Sequence, residues 1–234
     1  MLDDRNAGNT YLTAASLLRA FRYPETRAAH GPTFTPAHFL DGAPHTLYVV
    51  APDHEQGMLA PLVVAIISSI VHAAAERAQT AGPIDPTVRM LLDEIANIAP
   101  LRALPKYLSQ ASAYGLRIAT VWQSLGQMHE HFGAASDSIL ANSAVKAFMG
   151  PVSDDRTRAY LVDLLGDEPS QSTSTSSDTM SGQLRTRTVS EARRPMATSA
   201  SLQQLRQGRA IVFDGNLKPY MTRVDVGGWE RHNG

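Results

Sequence analysis

Val88-Arg89-Met90-Leu91-Leu92-Asp93-Glu94 is a short apolar run that ends in two carboxylates. Its length suits a strand better than a helix, and the turn-forming stretch Ala81-Gly82-Pro83-Ile84-Asp85-Pro86 sets it off from what precedes. An apolar strand that ends in Asp-Glu holds both acids at its carboxyl end, where ligands bind in open parallel sheets. The first acid of such a pair can hold a Mg²⁺ ion directly or through water, and the second can polarise an attacking water. The plainer alternative is that the two acids cap the next helix.

Strand and helix signals alternate on both sides of this run. Upstream, Thr46-Leu47-Tyr48-Val49-Val50 lies between Pro44 and Pro52 and predicts a buried strand, with an apolar helix over 57–78. Downstream, the pattern predicts a helix over 101–113 ended by Gly115, then a strand over Leu116–Trp122. A helix to about Ser143, a strand over Val145–Met149 stopped by Gly150-Pro151, and a helix over Asp154–Leu165 ended by Gly166 follow. That order predicts an α/β class: a mainly parallel sheet joined by crossover helices that cover both faces. The strand over 116–122 ends in Gln123-Ser124. An amide at that tip can reach a γ-phosphate, or it can simply cap a helix or meet solvent.

Composition bounds the rest. The 234 residues are 43% apolar and 18% charged, with a net charge of -1. That supplies a sizeable core and excludes global disorder and a strong overall field for nucleic acid or lipid. The absence of Cys excludes disulfides, thiolate zinc and a Cys nucleophile. Met1-Leu2-Asp3-Asp4 lacks the basic flank and apolar core of a secretory signal. Gly57–Ala75 contains no Asp, Glu, Lys or Arg and is long enough to raise the question of a membrane span. Pro61, Ser68, Ser69 and His72 interrupt it and no basic cluster flanks it, so it reads as a buried helix.

The ends read differently. Residues 10–22 predict a helix stopped by Pro24, and the Pro- and Gly-rich stretch 24–45 predicts a connector. Nine of the twelve residues from Ser170 to Ser181 are Ser or Thr, which predicts a solvated loop. Arg185, Arg187, Arg193, Arg194, Arg206 and Arg209 follow, as a solvated face or a phosphate-contacting edge. Ala210-Ile211-Val212-Phe213, Asp214-Gly215-Asn216 and Tyr220–Val224 predict a C-terminal β-hairpin. The expected organisation is 1–45 helix and connector, 46–168 core, 169–208 Ser/Thr-rich and Arg-rich segment, and 209–234 hairpin and tail.

These residues carry a family resemblance over about 10–225. Thr46-Leu47-Tyr48-Val49-Val50-Ala51-Pro52, Leu92-Asp93-Glu94-Ile95-Ala96-Asn97-Ile98-Ala99-Pro100-Leu101, Gln123-Ser124, Gln127, Arg194-Pro195 and Gly208-Arg209-Ala210-Ile211-Val212 carry it. The chain resembles the C-terminal half of the motor domain of TraG/TraD-type coupling proteins of type IV secretion and conjugation, most closely the actinobacterial members. These are RecA-like P-loop NTPases of the FtsK–HerA branch. The resemblance implies that Asp93, in the Walker B position, sits at the site of ATP-bound Mg²⁺. It implies that Glu94 is the catalytic carboxylate and Gln123 the γ-phosphate sensor. It further implies a hexamer that moves DNA or relaxase–DNA substrates to the secretion channel with ATP. The expected location is cytoplasmic for this chain and the cytoplasmic face of the inner or plasma membrane for the family.

Two departures qualify what the resemblance implies. The phosphate-loop pattern Gly-x-x-x-x-Gly-Lys-Ser/Thr needs a Gly before a Lys, but Lys106, Lys146 and Lys218 follow Pro105, Val145 and Leu217. The expected core is therefore N-terminally truncated, without Walker A, and inactive unless an upstream P-loop half completes it. The rival expectation is a non-catalytic remnant that binds DNA, relaxase or motor subunits. Where many members carry a trans-acting Arg, this chain has Ser112-Ala113-Tyr114-Gly115, with Arg117 nearby. Asp53-His54-Glu55 and His129-Glu130-His131 read as loop and solvated helix residues, since alternate helical positions point apart.

Overall fold

A computed structural model describes residues 34–52, 54–98, 101–176, 186–224 of the chain. The predicted helix over 10–22 lies outside the described residues, as does Asp53. The chain divides into two compact units, residues 1–123 with 127–143 and residues 124–126 with 144–234.

Among the described residues, the first unit begins with a short helix, α1 (Pro36–Phe39), within the predicted connector, and the long apolar helix α2 (Gln56–Ala81). Strand β1 (Val88–Leu92) leads through α3 (Ile95–Ile98), α4 (Leu104–Gln110) and a 3-10 turn (Ala111–Tyr114) into β2 (Leu116–Thr120). β1 and β2 are parallel, with Val88 opposite Leu116 and Leu92 opposite Thr120. Two helices, α5 (Leu125–Phe132) and α6 (Ala135–Asn142), replace the single one expected before Ser143. The break falls at Gly133, whose φ of 54° no helix accommodates.

One face of the β1–β2 pair is covered. Val88, Met90 and Leu92 line a cleft of about 240 Å³ with Val63, Ile66, Ile67 and Ile70 of α2. The buried positions of α2 (Ala60, Val63, Ile67, Ile70, Val71 and Ala74) recur every three or four residues, so one stripe of the helix carries its packing. The opposite face of the pair differs from the expected double cover. Arg89, Leu91, Arg117 and Ala119 are exposed, Leu91 at 80%.

The stretch Thr46–Val50 corrects the expectation of a buried strand. It has no regular secondary structure and joins no strand among the described residues, and Tyr48 and Val50 are 84% and 86% exposed. Leu47 and Val49 line the cleft beside β1 while Tyr48 and Val50 point away. The period-two alternation of a strand is therefore present without a hydrogen-bonded partner.

The second unit holds β3 (Val145–Met149), α7 (Asp155–Leu165), β4 (Asp167–Ser176), β5 (Thr186–Pro195), α8 (Ser199–Gln203), β6 (Arg209–Asp214) and β7 (Tyr220–Arg223). β3 pairs antiparallel with β6, and β6 with β7. Residues 145–149, expected in the parallel sheet, thus have the apolar β6 as an antiparallel neighbour. The predicted hairpin is present as β6–β7, with Gly215 at φ 52° in the turn after Asp214. Val152, Leu161, Leu202, Ile211 and Phe213 form the core of this unit.

The Ser/Thr-rich stretch also departs from expectation. Residues 170–176 belong to β4, paired in register with β5 from Asp167–Pro195 to Ser176–Thr186. Thr has high strand propensity, so a composition that reads as solvated loop also suits a two-stranded ribbon. At the base of the ribbon Arg194 bonds Glu168 at 2.8 Å.

Candidate nucleotide-handling edge

The carboxyl ends of β1 and β2 carry the predicted residues. Asp93 and Glu94 follow Leu92 directly, in the turn that opens α3. Gln123 lies three residues past Thr120. Because the strands are parallel, all three leave the sheet on one edge. The ladder runs one step further than the strands themselves, since the Val121 N–H donates to the Leu92 carbonyl at 3.0 Å. Asp93, Glu94 and Gln123 are all exposed.

Local bonds set how each is presented. The Glu94 N–H donates to Asp93 Oδ1 at 3.0 Å. The Glu94 carbonyl accepts from the N–H groups of Asn97 and Ile98 at 2.9 and 3.2 Å, so the helix-starting turn is closed by backbone. Glu94 has φ 46°, the one positive φ on a non-glycine residue among those described. That conformation is uncommon for a residue with a Cβ. Gln127, one turn into α5, accepts the Gln123 N–H at its Oε1 at 3.2 Å. Trp122 is held by its indole N–H on the Thr120 hydroxyl at 2.9 Å and by an edge-on contact with Phe132.

This donor set fits a Mg²⁺ that keeps most of its water and takes one carboxylate plus phosphate oxygens. Asp93 Oδ1 is steadied by the Glu94 N–H.

In the second unit, residues 124–126 are tied to the start of α7. The Leu125 N–H donates to the Thr157 hydroxyl at 3.0 Å, and that hydroxyl donates to Asp154 Oδ2 at 2.6 Å. Asp154 also caps α7 by accepting the Thr157 N–H at 2.8 Å. Partial burial pushes the Asp154 carboxyl up, but the Thr157 hydroxyl and N–H, the Gly126 N–H and the Arg158 charge together hold it below its ordinary value. Sequence reasoning placed the helix here but missed this cap. An Asp followed three residues later by Thr, ahead of an apolar run, is the signal for it.

The chain matches the profile of the type IV secretory system conjugative DNA transfer family over residues 3–224. It belongs to that family. Conjugal transfer protein TraG of Agrobacterium fabrum (strain C58 / ATCC 33970) is 29% identical over 156 residues, which are 66% of this chain and 23% of that protein. A probable conjugal transfer protein TraG of Sinorhizobium fredii (strain NBRC 101917 / NGR234) is 28% identical over 161 residues, 66% of this chain and 24% of that protein. The chain therefore spans about a quarter of the length of these TraG relatives.

Among solved structures, the bacterial conjugative coupling protein TrwB superposes with a TM-score of 0.59 at 20% identity, over 74% of this chain and 39% of that one. TrwB in complex with ADP and Mg²⁺ superposes with a TM-score of 0.56 at 19% identity, covering 74% and 38%. This member of the conjugative DNA transfer family shares the α/β fold of TrwB over 74% of its length.

Proposed function

We propose that this chain is the magnesium- and water-handling half of a conjugative coupling ATPase. The observation that carries the reading is the shared edge: an Asp-Glu pair and a Gln leave two paired parallel strands at the same end, in a chain of this family. Asp93 would hold the hydrated Mg²⁺ of bound ATP, Glu94 would orient and polarise the attacking water, and Gln123 would sense the γ-phosphate. Nucleotide bound with Mg²⁺ would supply the phosphoryl group; the residues here position water and withdraw its proton.

The phosphate cradle has to come from residues outside these 234, on a longer chain or on a partner, because no Gly-Lys-Ser/Thr loop is present. The exposed face of β1–β2, with Leu91 and Ala119 uncovered, supports a further layer of protein against this pair, since parallel sheets are ordinarily covered on both faces. The working partners would be other coupling-protein subunits in a hexamer, DNA or relaxase–DNA as cargo, and the secretion channel, at the cytoplasmic face of the membrane.

Hydrolysis measurements test this. The purified chain alone is expected to bind ATP weakly and turn none over. Mixed with a phosphate-loop fragment of a TraG relative, it is expected to hydrolyse ATP in a Mg²⁺-dependent way. Failure of the mixture to gain hydrolysis over the fragment alone, while the two associate, would favour a non-catalytic binding module.

A further inference from the structure

We infer that His38, Asp41 and His45 form a binding site for a divalent transition metal of the Zn²⁺ type, on the connector ahead of the core. These residues serve no part of the nucleotide-handling edge. Their ligand atoms all lie within 4.8 Å of one another, and they are grouped in eight consecutive residues.

The geometry starts from the chain. Pro36 opens α1, which places His38 in its last turn, and Gly42 at φ 97° turns the chain back. The Asp41 carboxylate then sits between the two imidazoles. Its Oδ2 is 3.2 Å from His38 Nδ1, and its Oδ1 is 3.0 Å from His45 Nε2. The two rings lie 4.9 Å apart by centroid. Tetrahedral donors about 2.0–2.1 Å from Zn²⁺ are about 3.3–3.4 Å from each other. The His–Asp separations are already close to that edge length. An ion entering between them would bind the ring nitrogens that face Asp41, each neutral imidazole keeping its proton on its other nitrogen.

Two features hold the loop in this shape without the ion. The Ala43 N–H donates to Asp41 Oδ1 at 2.8 Å. Leu40, between the ligands, is buried at 4% exposure, and its carbonyl accepts from Arg77 of α2. The ligand-bearing loop is thereby pinned to the longest helix of its unit.

The donor chemistry selects the metal class. Two imidazoles and one carboxylate suit Zn²⁺, Co²⁺ or Ni²⁺, whereas Mg²⁺ and Ca²⁺ prefer all-oxygen sets. The site is exposed, so at least one coordination position faces water. Bound metal would staple the segment that leads into Thr46–Val50, the stretch with no strand partner among the described residues.

Calorimetric titration of the full, tag-free chain with Zn²⁺ tests the site, with Co²⁺ absorption as a second readout of tetrahedral ligation. One equivalent is expected to bind, with a dissociation constant on the order of micromolar. His38→Ala and His45→Ala are each expected to weaken binding by about tenfold or more, because every ligand contributes directly to the binding free energy. The double variant His129→Ala/His131→Ala, which removes the other closely spaced pair, is expected to bind as the parent does. Asp41 supports its own turn, so a melting curve without metal accompanies any Asp41 variant, and the two His variants decide the question. No binding, binding unchanged in both His variants, or binding lost in the 129/131 variant would each overturn the assignment.

Discussion

The Val121 N–H donates to the Leu92 carbonyl at 3.0 Å, one step beyond the paired residues Leu92 and Thr120. That bond carries the parallel register up to the residues that leave the sheet. Asp93 on one strand and Gln123 on its neighbour therefore emerge at the same edge, and no side-chain adjustment can move either to the other end. If this edge handles nucleotide, the two acids separate by role. In an assembly completed with a phosphate loop, Glu94→Gln is expected to retain ATP binding and lose about 10²–10⁴-fold in hydrolysis rate, or about 3–5 kcal/mol of barrier. Asp93→Ala is expected mainly to weaken Mg²⁺-dependent nucleotide binding. Steady-state rates and nucleotide titrations on the two variants separate these outcomes, and wild-type turnover by Glu94→Gln would leave the pair as helix-opening acids.

Glu94 adopts φ 46° and is exposed, with only its backbone engaged in the turn that opens α3. The left-handed region costs a residue with a Cβ about 1–2 kcal/mol, and Gly occupies it freely. Glu94→Gly is therefore expected to raise the stability of the isolated chain by up to about 1 kcal/mol, while removing the proposed water-orienting carboxylate. Urea unfolding of both proteins checks it. A less stable Glu94→Gly chain would show that the side chain has a structural role.

Gly115 presents the opposite case. It ends the 3-10 turn at φ 77°, and a Cβ there would lie 2.3 Å from the Ile84 carbonyl oxygen and 2.4 Å from the Ile84 nitrogen. Both contacts are backbone, so no side chain can swing away. The same junction is tied by Ile84 N–H to the Tyr114 carbonyl and Val88 N–H to the Gly115 carbonyl, at 3.2 and 3.0 Å. Gly115→Ala adds the left-handed cost of about 1–2 kcal/mol to an overpacking cost of about 1–3 kcal/mol. Thermal unfolding is expected to show a large loss of stability. Unchanged melting would mean that the β1–β2 junction has room that these distances deny.

The strands that pack on a helix were legible, and their partners were not. Met90 alternates with exposed neighbours and ends in Asp93-Glu94, so both the strand and its tip can be read from the residues. Thr46–Val50 has the same apolar content, yet being a strand depends on a neighbour's backbone, which the stretch itself cannot reveal. Val145–Met149 shows why direction is hidden: the side-chain pattern is the same for either orientation, and only the adjacent β6 makes the pair antiparallel. The Ser/Thr-rich arm of β4 reads as loop by its low apolar content, although its register with β5 rests on backbone bonds. Of the site, residue types and edge could be read from sequence. The Glu94 backbone conformation and the bond from the Leu125 N–H to the Thr157 hydroxyl could not, because both depend on tertiary placement.

Helix α2 is long and apolar enough to cross a membrane, and a third of its most apolar window is buried. Its buried positions, Ala60 to Ala74, form one stripe, of which Val63, Ile67 and Ile70 line the cleft beside β1, and Pro61, Ser68 and Ser69 lie within the run. A stripe of this kind belongs to a helix that packs on a sheet. The chain expressed alone is expected in the soluble fraction or in inclusion bodies, and to be released from membranes by alkaline carbonate. Carbonate-resistant integration would show that the helix inserts.

Asp154 gives the clearest pH dependence. Its carboxylate accepts the Thr157 N–H at 2.8 Å and the Thr157 hydroxyl at 2.6 Å, at the first turn of α7. Partial burial works against the charge, yet these donors, the Gly126 N–H and Arg158 outweigh it, so the folded carboxyl titrates below its ordinary value. A carboxyl held low in the folded state stabilises the fold at pH values above its unfolded pKa of about 3.9. That contribution disappears as the pH falls through the lower, folded value, because the protonated acid no longer differs between the two states. Asp154→Ala is expected to cost about 0.5–2 kcal/mol at pH 7, the usual range for losing an N-cap. Asp154→Asn keeps an acceptor for the Thr157 N–H and is expected to lose less. As the pH falls below the unfolded value and through the lower folded one, the gap between the parent chain and Asp154→Ala should narrow. Denaturant unfolding at pH 7 and pH 3 measures both gaps. Equal gaps at the two pH values would show that the cap acts through shape and hydrogen bonding alone, with no contribution from the carboxylate charge.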